Sequence, residues 1–324
     1  MHININNLPK KILSWYDNNQ RTLPWRISKN SKNQQYYRLL SEFMLQQTQV
    51  KTVIPYFNNF VKKIPNLKAL AKSKEKKILK LWEGLGYYRR VKNLHKTSKI
   101  LIKKYKGIIP NNFEKLKELP GIGDYTANIL LALIYNQPRI GLDSNVKRVL
   151  ARVLNVENWK SEGLFKTKRN NDLAEALMEF GALICKPKEP KCNECEIKTM
   201  CSYYKLKKKI KSKIKVKVKV KSYDIFCYLK KKTRQIALTK SNNLGFLRKF
   251  NLPKIKKTSR KNKSWKFLCN YKNSISNKKL NINLYYKFST KIPSKKYDWY
   301  FLNKNNDFIP TFTKKIFKQV SHLC

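Results

Sequence analysis

The stretch from Leu119 to Asp143 holds the first residues whose types and spacing can do chemistry. Pro120-Gly121-Ile122-Gly123 forms a tight turn with outward backbone N–H groups, and Asp124 opens a helix behind it. A helix N-terminus beside exposed amides is an anion site, suited to a phosphate, and this turn-and-helix pattern is that of DNA-binding helix–hairpin–helix segments. Asp143 follows about twenty residues after Gly123, ahead of Val146, Val149, Leu150 and Val153. By position it is a helix N-cap; by chemistry it can also stabilise a cation. Glu42 lies among Leu39, Leu40, Phe43 and Met44. It either faces solvent or sits in a pocket that raises its pKa, and burial preferences alone favour the solvent face.

Four cysteines follow as Cys185-x6-Cys192-x2-Cys195-x5-Cys201. Four thiolates in so short a segment converge on a common ligand. A structural zinc takes two paired knuckles and only one is present, whereas iron–sulfur clusters take four cysteines, so an iron–sulfur cluster is favoured over zinc, and either over four free thiols. With only His2, His95 and His322 available, acid–base chemistry falls to carboxylates.

The chain has 324 residues, 73 basic and 19 acidic, for a net charge of +54. Abundant Lys, Asn and Ile throughout make part of this excess compositional. The remainder still implies nucleic-acid or other acidic partners. No run of 18 apolar residues is present, so no membrane association is expected. The N-terminus lacks the pattern of a secretory signal, and a cytoplasmic location is expected.

These groups need elements to hold them. Helices are expected over residues 8–20, from Leu39 through Gln47, Val50–Val61, Ser73–Leu81, Val91–Tyr105, Phe113–Glu118, from Asp124, after Asp143, and Asp172–Ile184. Ser28–Gln35 reads as a loop. Gln46-Gln47-Thr48 either caps the core or faces a ligand. Gly84-Leu85-Gly86-Tyr87-Tyr88-Arg89-Arg90 is either a base-stacking turn or a helix junction with core tyrosines. Residues 202–324 carry 35 Lys and Arg against only Asp224, Asp298 and Asp307. Strands are expected at Lys213–Val220, Phe226–Leu229, Gln235–Thr239, Leu284–Phe288 and Tyr297–Leu302, with a terminal helix at Thr313–Val320, which makes a small α+β domain.

Taken together, Leu119–Gly123, the later acid and the cysteine spacing resemble the endonuclease III superfamily of DNA glycosylases. Within it, Arg21-x-Leu23-Pro24-Trp25-Arg26, Ser41-Glu42-x-Met44-Leu45-Gln46-Gln47-Thr48-Gln49-Val50, Leu81-Trp82-x-Gly84-Leu85-Gly86-Tyr87-Tyr88 and Leu142-Asp143-x-Asn145-Val146-Lys147-Arg148-Val149 are similar to the MutY-type adenine glycosylases. The likeness covers residues 8–202. It implies a mainly α catalytic domain over 1–204 with the iron–sulfur loop at 185–201, a basic linker at 205–221, and a diverged Nudix-like domain at 222–324.

The implied activity is removal of adenine paired with 8-oxoguanine or guanine in double-stranded DNA, with the base flipped out of the stack. Glu42 becomes the general acid, which reverses the solvent-face expectation, and Asp143 the stabiliser of the sugar cation. Tyr125 and Asn145 complete the catalytic group. Gly121 and Gly123 grip a phosphate, Gln47 and Tyr88 wedge into the duplex, and Arg26 and Ser289 join the DNA contacts. Cys185, Cys192, Cys195 and Cys201 hold a [4Fe–4S] cluster, as the resemblance implies. Lyase members carry a lysine where this chain has Tyr125, which implies a monofunctional enzyme. Thr290 stands where a histidine follows Phe-Ser in the family, and Ser144 where a glycine follows the acid. The Nudix catalytic box is absent. A monomer of bacterial type, associated with the nucleoid, is implied. The competing readings are a mismatch thymine or uracil glycosylase of the same superfamily and a non-catalytic iron–sulfur DNA-binding protein.

Overall fold

The computed structural model describes residues 7–27, 31–155, 165, 167–206, 220–240, 247, 250–257, 264–275, 278–303 and 308–324. The chain forms two compact units, one of Met1–Ile78 with Tyr88–Lys211, the other of Leu79–Tyr87 with Ser212–Cys324.

The first unit is helical. Its elements are α1 (Leu8–Asn19), α2 (Gln34–Leu45), α3 (Val50–Lys63) and α4 (Leu67–Lys72); α5 (Glu75–Leu81) runs across the division in sequence. Then come α6 (Arg89–Tyr105), α7 (Phe113–Lys117), α8 (Asp124–Tyr135), α9 (Ser144–Leu154), α10 (Asn170–Leu183) and α11 (Ser202–Lys205). Helix α8 is apolar nearly all round, with Thr126 through Leu133 buried, as befits a central helix. Helices α2, α7 and α10 pack on it. Helices α1, α9 and α10 share a second core, formed by Ile12, Trp15, Val149, Leu150, Leu177 and Phe180, which extends to Ile197 and Cys201.

Sequence periodicity anticipates most of these helices. Helix α4 was not anticipated, although Asn66 caps it by accepting the Ala69 N–H at 2.8 Å. Helix α2 stops at Leu45, short of Gln47, which takes φ 60°.

The second unit holds β1 (Val220–Lys230), β2 (Gln235–Thr239), β3 (Lys254–Lys257), β4 (Lys266–Ile275), β5 (Lys278–Phe288), β6 (Tyr297–Phe301) and α12 (Thr311–Val320). The sheet order is β4-β5-β1-β2-β6, with β3 also paired to β1. Strands β1 and β5 run parallel and the other pairs antiparallel. Phe312, Ile316, Phe317 and Val320 of α12 cover one face, over Ile225, Cys227, Leu229, Ile282 and Leu284. This is a helix-backed mixed sheet, as expected for an α+β domain. The expected strand at Lys213–Val220 lies outside the described residues except for Val220, which opens β1.

Candidate active site

Glu42 is buried, at 5% exposure. The preference for a solvent face fails because α2 has none: it packs on α3, α6 and α8, and Leu39, Leu40, Phe43 and Met44 are fully enclosed. Loss of hydration pushes the Glu42 carboxyl up to about 7. Arg38 opposes this, the nearby charges of Glu175 and Asp143 reinforce it, and a hydrogen bond with Tyr125 opposes it.

Tyr125 stands in the first turn of α8, two residues past the hairpin. Its hydroxyl lies 3.4 Å from Met178 Sδ and also acts on the nearby Glu42 carboxyl. Its ring abuts Gly141, where a Cβ would come within 2.8 Å of it. Burial and the charges of Glu42 and Asp143 hold the phenol well above its ordinary range, so it stays neutral.

Asp143 is the N-cap of α9 and also faces this site. Its Oδ1 accepts the Val146 N–H at 2.7 Å, and its Oδ2 accepts Asn145 Nδ2 at 3.1 Å. Burial raises its pKa, while the Val146 and Asn145 donors and the charge of Arg148 favour the ionised form. Asn145 Oδ1 accepts Arg148 Nη2 at 2.8 Å, and the Asn145 Cβ is so close to Gly181 that a Cβ there would meet it at 2.7 Å.

The hairpin lies beside this group. Gly121 has φ +86°, and a Cβ there would come within 2.8 Å of both Asn93 and Phe43, so only glycine fits. Thr97 Oγ1 donates to the Pro120 carbonyl at 2.9 Å, and Gln46 Nε2 reaches Gly121 O and Thr126 Oγ1, each at 3.4 Å. Gly123 caps α8 in extended backbone and is exposed.

Four expected DNA contacts meet different fates. Gln47 is exposed on the turn after α2. Tyr88 is 5% exposed, whereas Tyr87 is 39% exposed, so the tyrosine at the surface is the one before. Tyr87 has φ 48°, in the left-handed region. Arg90 is likewise buried and donates to the carbonyls of Phe43, Met44 and Gln46, closing the end of α2. Arg26 points inward: Nε reaches Glu175 at 3.0 Å and Nη2 reaches Glu179 at 2.8 Å, which takes it from any exposed phosphate contact. Ser289 is half-buried just past β5, and its hydroxyl donates to the Lys291 carbonyl at 2.7 Å.

A buried ionic cluster lies beyond Glu42, and sequence reasoning missed its acids. Arg21 forks onto Glu179 at 2.8 and 2.9 Å, Arg38 reaches Glu175 at 2.6 Å, and Tyr16 donates to Glu175 at 3.1 Å. The available signal was Glu175 and Glu179, four apart on an otherwise apolar helix, a spacing that puts both on one face.

Cys185, Cys192, Cys195 and Cys201 line one cavity with Ile184, Pro190, Ile197 and Tyr203. Arg152 Nη1 lies 3.2 Å from Cys185 Sγ. Among the described residues, no group of three His, Cys, Asp or Glu side chains converges on a single metal ion. The donor set is four thiols around an apolar cavity, which fits a polynuclear cluster better than one ion.

Comparison with known proteins decides the family. Residues 40–175 match the HhH-GPD superfamily base excision DNA repair protein model. An adenine DNA glycosylase of Buchnera aphidicola subsp. Baizongia pistaciae is 38% identical over 339 aligned positions, covering 95% of each chain. This chain belongs to the adenine DNA glycosylase family. The family member from Buchnera aphidicola subsp. Schizaphis graminum is 40% identical, over 60% of this chain and 59% of that one. Among solved structures, a thermostable thymine-DNA glycosylase superposes with a TM-score of 0.55 at 26% identity, over 61% of this chain and 95% of that one. This adenine glycosylase family member is thus an enzyme whose helical unit has the superfamily fold, with a β-rich unit after it. No helix among its described residues is long and apolar enough to cross a membrane.

Proposed function

We propose that the protein hydrolyses the N-glycosidic bond of adenine paired with 8-oxoguanine or guanine in double-stranded DNA, without strand cleavage of its own. The observation that carries this reading is the meeting of Glu42, Tyr125 and Asp143 beside the glycine hairpin. Burial raises both carboxyls, but they differ in partners: Asp143 alone accepts the Val146 N–H and the Asn145 amide, donors that favour its ionised form, which divides the acid and stabiliser roles. Glu42, at about 7, keeps a large protonated fraction near neutral pH and donates a proton to the leaving adenine. As a carboxylate it then prepares the attacking water. Asp143, tied by Val146 N–H and Asn145, opposes the positive charge that develops on the sugar.

Tyr125 offers no amine, so no Schiff base forms and lyase chemistry is absent. Gly121 and Gly123 hold a backbone phosphate on their amides. Gln47, exposed on the turn after α2, takes the place left by the flipped base. The four cysteines hold a [4Fe–4S] cluster, which when bound fixes the loop after α10. The helix-backed sheet of residues 222–324 is a diverged Nudix-like domain that reads the base opposite the adenine. Its aromatic and lysine side chains, such as Lys231 over Phe288 and Lys230 over Trp299, suit a nucleic-acid surface.

Glu42→Gln tests the reading. It should bind mispaired duplex like the parent while losing adenine release. Retained turnover would remove Glu42 from the role of acid.

A further inference from the structure

We propose that Glu175 is a positioning residue for this reaction: it holds the Arg38 guanidinium on α10 and so withholds that cation from Glu42, which remains a neutral proton donor. The inference rests on Glu42 being the acid.

Arg38 and Glu42 are four apart on α2, so their side chains share one face of the helix. An arginine with no other partner, one turn from a buried glutamate, would pair with it and fix it as the carboxylate, which cannot donate. Here Arg38 is engaged elsewhere. Its Nη1 lies 2.6 Å from Glu175 Oε1, and its Nη2 lies 3.5 Å from Oε2. Glu175 is itself anchored by Arg26 Nε at 3.0 Å and Tyr16 OH at 3.1 Å. Burial alone would push the Glu175 carboxyl up, but Arg38 and Arg26 outweigh it and hold it below the usual carboxylate range. Glu175 is therefore a permanent anion that does two things. It occupies the Arg38 cation, and its own charge disfavours a second negative charge on Glu42. The groups acting on Glu42 are Arg38 from α2, Glu175 from α10, Tyr125 from α8 and Asp143 at the head of α9. Arg38 Nε has no hydrogen-bond partner among the described residues, so the guanidinium keeps a donor for Glu42 once Glu175 is neutralised.

The test compares Glu175→Gln, Arg38→Met and the double variant in the full-length, cluster-loaded protein. Two readouts are taken against pH: the single-turnover rate of adenine release, and the infrared carbonyl band of protonated Glu42, with Glu42→Gln as the blank. Glu175→Gln should lower the Glu42 midpoint by about one unit or more, so that the rate at high pH drops about tenfold while the rate at low pH is retained. Arg38→Met should raise the midpoint, and the double variant should return it close to the parent value. A folded Glu175→Gln with an unmoved midpoint overturns the proposal, as does a shift of both single variants in the same direction. Should Glu175→Gln lack a cooperative melt, Arg38→Met decides alone: an upward shift supports the proposal, and no shift or a downward one overturns it. A parent protein that releases no adenine, or whose rate ignores Glu42→Gln, sinks the underlying reading instead.

Discussion

Asn145 donates its side-chain amide to Asp143 Oδ2 at 3.1 Å, while Asp143 Oδ1 caps α9 at Val146. One carboxylate thus both starts a helix and faces the reaction site, and Asn145 fixes its rotation. Asn145→Ala removes a hydrogen bond to the charged form, which raises the Asp143 pKa further. The expected result is a fall of about 10- to 100-fold in single-turnover adenine release, the size seen when an orienting partner is lost. The low-pH limb of the rate profile should move to higher pH. An unchanged profile would show that Asp143 needs no such support.

Glu42 makes stability depend on pH with a definite sign. Its folded pKa is about 7 against an ordinary 4.5, so the folded state binds the extra proton. Its contribution is full below about 4.5 and is lost as pH rises through about 7, an effect on the order of 3 kcal/mol at most. Glu42→Gln escapes this loss. It should melt above the parent at pH 8, with the gap closing by pH 5. Equal gaps at both pH values would mean that Glu42 is not held neutral.

Gly181 is required by Asn145 rather than by its own backbone. Gly181→Ala puts a Cβ 2.7 Å from Asn145 Cβ and 3.1 Å from its backbone carbon and oxygen. The start of α9 must shift, at a cost of about 1–3 kcal/mol in denaturant unfolding, and adenine release should fall with it. Gly123→Ala meets nothing within 4 Å and should leave stability within about 0.5 kcal/mol.

The cysteine cavity predicts its own contents. Purified protein should hold about four iron and four sulfide per chain. Cys192→Ala should lose both, along with the visible absorbance and part of the melting temperature. Zinc in place of iron would contradict the assignment.

Local patterns were the legible part of this molecule. The spacing of Ala127, Leu130, Leu131 and Ile134 places α8, and the strand expected at Gln235–Thr239 matches β2. Burial of Glu42 was not legible from residues 36–50 alone, because it depends on α3, α6 and α8 closing around α2. The Arg38–Glu175 pair joins residues 137 apart in sequence, beyond the reach of any local rule. Tyr87, at a left-handed φ of 48°, is exposed while Tyr88 is buried, a difference that the run Gly84–Arg90 does not reveal. Strands β3 and β4 were not legible: β3 is only four residues long, and β4 shifts register between Phe267 and Cys269.

The central claim is a monofunctional adenine glycosylase, and one assay meets it directly. Cluster-loaded protein is incubated with three duplexes, carrying adenine opposite 8-oxoguanine, thymine opposite guanine, and uracil opposite guanine, and each is analysed before and after alkali. Strand scission only in the first duplex, and only after alkali, is the predicted result. Scission before alkali, scission of the thymine or uracil duplex, or no scission at all would contradict the account.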